Sequence, residues 1–135
     1  MKEQLISFET AKLGKEKGFD WEVQTFYDNE SKRLKKVRGY EDWNTEDDGL
    51  GFKPYSAPTQ ALLQKWLREE HKINVESNYL PNIQKYRCLY VPMSKSISNK
   101  EKYSLRSKYY GTDDFETYEE ALEKGLQEAL KLIKL

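Results

Sequence analysis

The sequence predicts an α+β fold in two layers, an antiparallel sheet of about five strands packed with three helices. Two capped amphipathic segments, at 57–71 and 117–133, carry apolar residues at helical spacing, and between and before them lie short runs that alternate apolar and polar residues. The links between those runs are too short for crossover connections, so the strands should pair antiparallel.

Each element can be read in chain order. Ser7 is an N-cap candidate ahead of Phe8 and Ala11, and Gly18 is a C-terminal stop, which predicts a first helix between them that Gly14 weakens. Phe19, Trp21, Val23 and Thr25 alternate with Asp20, Glu22 and Gln24, the period of a half-buried strand. The turn Asp28–Ser31 leads into a second strand over 34–38 and so a hairpin with a strongly basic return. From 39 to 55 the chain holds three glycines, one proline and five carboxylates with no clear period, which predicts a long irregular acidic loop. Ser56 and Pro58 then suggest a cap and first turn for a helix over 57–71, with Leu62, Leu63, Trp66 and Leu67 as its apolar stripe. Two strands follow at 73–79 and 83–91, and a third at 103–109. Thr117 and Glu120 form a capping box that opens the last helix.

At 135 residues the chain fits one α+β domain, residues 1–135. Its 34% charged residues make it polar, but ten Tyr, five Phe and three Trp are too many for a disordered segment. The 23 basic and 23 acidic side chains cancel, which excludes a global field drawing it to nucleic acid or an anionic membrane. The lone Cys88 lies in an apolar strand and the amino terminus turns polar before an apolar signal core can form. With no long apolar run, these features predict a cytoplasmic protein without a membrane partner.

Motifs for catalysis are missing. There is no C-x-x-C, H-x-x-x-H, G-x-S-x-G or P-loop, and Asn44, Glu46, Asp48 and Gly49 start like a calcium loop whose twelfth position is Tyr55 rather than Glu. The single His71 reads as a helix-end cation, so no catalytic residue, metal or cofactor is assigned. The order helix, strands, helix over 57–134 resembles a double-stranded-RNA-binding domain, but Asp113–Glu120 is acidic where such domains place phosphate-holding lysines.

Two clusters remain as candidate binding residues. Lys32, Arg33, Lys35, Lys36 and Arg38 place five cations in seven residues beside Phe26 and Tyr27, suited to anions, although edge strands also carry lysine to stay soluble. Trp43, and one of Tyr109 and Tyr110, which cannot both point inward from a strand, are the expected exposed aromatic anchors. The favoured expectation is a non-enzymatic protein-binding protein. A small-ligand, nucleotide or single-stranded nucleic-acid binder using 32–38 is the alternative, and self-association is left open.

Residues 55–73 and 117–133, together with the Lys17-Gly18-Phe19 helix end, resemble the uncharacterised small proteins encoded in Bacteroidetes genomes and their prophages and phages. The resemblance implies a phage or mobile-element setting and carries over no functional residues.

Overall fold

The computed structural model describes residues 3–46, 49–93 and 111–134. Among the described residues three α-helices and five strands run in the order α1 (Phe8–Glu16), β1 (Val23–Asp28), β2 (Leu34–Glu41), β3 (Pro54–Ser56), α2 (Gln60–Glu70), β4 (Ile73–Leu80), β5 (Lys85–Pro92) and α3 (Tyr118–Lys131). All pairing between these strands is antiparallel, as the fold class requires, but the strands form two sheets, β2-β1-β3 and β4-β5. The described chain divides into two compact units, one of residues 3–63 with 134 and one of 64–133. The division falls inside α2.

In the first unit Ser7 caps α1 as its spacing predicts, its Oγ accepting from the Thr10 N–H. Gly18 ends the helix in the left-handed region at φ 88°, where glycine carries no Cβ penalty. β1 starts later than the alternation of 19–25 suggested. The Phe19 N–H returns to the Gly14 carbonyl and its own carbonyl accepts from Asn44 Nδ2, so both of its backbone groups are engaged outside a sheet ladder. β1 is the central strand: Phe26 faces Trp43 and Phe52, while Tyr27 meets Phe8 and donates to the Ile6 carbonyl. β2 is an edge strand, and all eight of its residues are exposed.

The segment expected to be irregular holds the end of β2, a short 3-10 helix Trp43–Thr45 and most of β3. Asn44 braces it, with Nδ2 donating to the Phe19 carbonyl and Oδ1 accepting from the Ser56 N–H, both at 2.8 Å. α2 begins at Gln60 rather than 57 because Ala57 is committed to β1. Its N–H donates to the Thr25 carbonyl and its carbonyl accepts from Thr25 Oγ1. Thr59 then does the capping expected of Ser56, its Oγ1 accepting from the Leu62 N–H.

In the second unit β4 and β5 pair without interruption from Ile73↔Pro92 to Leu80↔Lys85. α3, capped by Thr117 as the capping box predicts, packs across both strands. Residues 111–115 run antiparallel beside β5, with reciprocal backbone bonds between Tyr86 and Phe115. The strand expected at 103–109 lies outside the described residues.

Candidate functional site

The geometry of unit two argues against its one thiol as a nucleophile. Cys88 is fully buried beneath α3, where Gly125 leaves it room, and burial pushes its pKa up to about 12. Its N–H donates to Thr112 Oγ1, a contact that fastens 111–115 to β5. His71, at the end of α2, stands edge-on to Trp66 at 4.6 Å. Among the described residues no three His, Cys, Asp or Glu side chains are placed to hold a metal ion, and no helix is long and apolar enough to cross a membrane.

Unit two does expose an aromatic row. Tyr79 and Tyr86 are 5.2 Å apart and Tyr86 meets Tyr118 edge-on at 6.2 Å, with Tyr79 and Tyr118 each roughly half-exposed. Neither Tyr79 nor Tyr118 is among the exposed aromatic anchors that the sequence predicts. The β4–β5 register is what aligns Tyr79 with Tyr86.

The five cations lie on the other unit. Lys32 sits in the β1–β2 turn at φ 57° with its Nζ 5.4 Å from the Phe8 ring centre. Lys35 is paired with Phe26 in register and reaches Asp28 at 3.9 Å. Lys36 is paired with Thr25 and so projects from the opposite face. Among the described residues Arg33, Lys36 and Arg38 have no carboxylate within ion-pairing distance. The structure thus brings the five together as one exposed rim, split between two faces of an edge strand.

β1 and β2 lose register between Thr25↔Lys36 and Val23↔Glu41. β2 bulges there, and Gln24 Nε2 donates to the Arg38 carbonyl at 2.8 Å, a side chain filling in for the missing ladder. Within the slipped stretch Tyr40 stands 63% exposed. Lys36 and Tyr40 line one side of an open groove of about 620 Å³, with Val23 and Thr25 of β1, Leu5, and Pro58 and Leu62 contributing to the rest. Glu3 and Glu22 also line it. Sequence reading ended this strand at Arg38, before Gly39, and so missed Tyr40. No local period marks it, because the register slips between Thr25↔Lys36 and Val23↔Glu41.

Trp43, expected as an exposed anchor, is half-buried. Its ring packs on Phe26 with centroids 4.5 Å apart and its Nε1 donates to the Val23 carbonyl at 2.8 Å, so it braces β1. Beside it, burial raises the pKa of Asp42 above the usual carboxylate range, although the Asn44 N–H bonded to it acts the other way. Tyr109 and Tyr110 lie outside the described residues. No family model, curated protein or solved structure matches the chain.

Proposed function

We propose that this chain is a non-enzymatic binding protein that holds an extended acidic segment of a partner protein against the outer edge of β2. The observation that carries the reading is β2 itself, an eight-residue edge strand exposed along its whole length, with Lys35, Lys36 and Arg38 on it and Lys32 and Arg33 just ahead. An edge strand offers a row of backbone donors and acceptors, and another strand is the natural partner for that row. A second copy of β2 is disfavoured because it would oppose cations to cations. An acidic strand matches both the ladder and the charge.

The alternative, single-stranded nucleic acid, uses the same cations but has no use for the backbone row. Tyr40 is the one aromatic on β2, and Asp28, Glu30 and Glu41 interrupt the positive rim. The tyrosine row of unit two is a weaker candidate, since its rings already contact one another and no charge specifies an occupant. In the mobile-element setting that the sequence resemblance implies, the partner would be a phage or host protein.

Fluorescence anisotropy with the full chain tests this. The probe is a labelled eight-residue peptide alternating Glu with Thr, matched to the length of β2. It should bind, weaken as salt rises, and lose binding when Lys32, Arg33, Lys35, Lys36 and Arg38 become Gln. Methylating alternate backbone nitrogens of the peptide should abolish binding for one of the two phases of methylation. Equal binding by both methylated forms would sink the strand-pairing reading, and tighter binding of a single-stranded oligonucleotide would transfer the site to the alternative.

A further inference from the structure

The geometry of the second unit points to a self-complementary edge: we infer that the chain pairs with a second copy of itself through the outer side of β4, joining two β4–β5 hairpins into one sheet. The inference concerns a different strand from the reading made for β2 and does not rest on it.

The direction of the backbone groups locates the edge. In an antiparallel pair, residues that bond each other alternate with residues whose N–H and C=O point away from the partner strand. On β5, Cys88 and Tyr86 point away from β4. The Cys88 N–H donates to Thr112 Oγ1, the Cys88 carbonyl accepts from the Thr112 N–H, and Tyr86 exchanges both bonds with Phe115. Their register partners Ser77 and Tyr79 therefore turn their own N–H and C=O to the outer side of β4. Val75 has the same phase, and its outward carbonyl accepts from Gln64 Nε2. Among the described residues nothing bonds the outward groups of Ser77 and Tyr79.

Those two residues flank Asn78, which makes the strand its own complement. An antiparallel copy centred on Asn78 sets Ser77 opposite Tyr79 twice over, and each of the two pairs closes two main-chain bonds. The neighbouring registers do less well. Ser77 opposite Ser77 would bring Val75, whose carbonyl is already taken, against Tyr79. Tyr79 opposite Tyr79 would bring Pro81, which has no N–H, against Ser77.

Side-chain charge admits the copy here, whereas on β2 it opposes one. Glu76 is the single charged residue of β4, and in this register it faces Leu80 rather than another carboxylate. Asn78, which is exposed, faces Asn78. The two Tyr79 residues become diagonal neighbours on one face, roughly 7–8 Å apart and within reach of each other's rings. Pairing would thus cover a ring that is half-exposed in the single chain.

Sedimentation velocity of the full chain, from about 5 to 500 µM, reads the association, which should have a Kd of about 100 µM because so short an edge makes a small interface. Asn78→Lys and Asn78→Glu each set like charges across the symmetry axis and should weaken self-association by about tenfold or more. An equimolar mixture of the two should associate at least as tightly as the unaltered chain, since unlike charges then face each other. Tyr79→Ala is a second, independent variant and should weaken association about fivefold. Replacing Lys32, Arg33, Lys35, Lys36 and Arg38 by Gln should leave it unchanged. Melting temperatures close to that of the unaltered chain show that the variants fold.

An unaltered chain that stays monomeric across the whole range overturns the inference. A mixture that associates no better than its two components does so as well, as does full self-association by both Asn78 variants, which would put the contact elsewhere on the molecule. Loss of association through the substitutions at 32–38 would move it to β2 and equally end the inference.

Discussion

The two hairpins among the described residues are built from strands of similar length and have opposite fates. β4 and β5 hold register over eight consecutive pairs, and α3 lies across them. β1 and β2 slip register midway, and β2 is left bare. The residues explain the contrast. β5 carries Cys88, Leu89 and Tyr90, all buried, whereas β2 carries Lys35, Lys36 and Arg38 on alternating faces and so has no apolar side to offer a helix. A strand with charge on both faces stays at an edge, and an edge held at full length is available for something else to pair with.

The largest effect that can break the contrast is at Gly125. A Cβ there would overlap Cys88 Sγ and lie 2.8 Å from Cys88 Cβ and 3.4 Å from Val75 Cγ1. Gly125→Ala should destabilise by about 3 kcal/mol, even though alanine favours helix by about 1 kcal/mol. Urea unfolding measures it, and Cys88→Ala on the same chain should restore part of the loss because the sulfur is then gone. An unchanged midpoint would mean that α3 can lift from the hairpin freely.

Trp43→Ala comes next, at about 2 kcal/mol, since it removes a half-buried ring as well as the bond to Val23. Trp43→Phe keeps the ring and should cost about 1 kcal/mol. Equal losses for the two would show that the hydrogen bond alone matters. Replacing Lys32, Arg33, Lys35, Lys36 and Arg38 by Gln should shift stability by less than about 0.5 kcal/mol, because these side chains are exposed. A large change in the thermal melt would make them structural and undercut a binding role.

How much of this was legible in the sequence follows the same line. The caps Ser7 and Thr117 and the α3 stripe come from contacts within a few residues, the β4–β5 pair from strands joined by one short turn, and each appears where its spacing placed it. What was not legible depends on contacts distant in sequence. The start of α2 moves because Ala57 bonds to Thr25, and Trp43 turns inward because the Val23 carbonyl accepts its N–H. The basic cluster could be read residue by residue. The groove beside it could not, since Leu5, Val23, Lys36 and Leu62 meet only once the unit has folded.

The smallest expected effect sharpens the well-packed side. Glu128 is partly buried, which alone would raise its pKa, but hydrogen bonds from Lys131 and Lys124, at 3.2 Å each, outweigh that and hold the carboxyl below its ordinary range. A lowered pKa in the folded state stabilises at pH values above the unfolded carboxyl's range and is lost as pH falls through the folded one. Glu128→Gln should therefore cost under about 1 kcal/mol at neutral pH, and the difference should vanish in acid. A difference that persists there would assign the cost to packing.

Asn44 carries one further consequence, in the chemical ageing of the protein. Its amide donates on one side, to Phe19, and accepts on the other, from Ser56, so each half of the group is chemically specified. Deamidation, which exchanges that nitrogen for a carboxylate oxygen, would turn an acceptor toward the Phe19 carbonyl and add a charge between two backbone segments. A change invisible in shape would release the bonds that tie Asn44 to Phe19 and Ser56, and stored protein should loosen at those two contacts first.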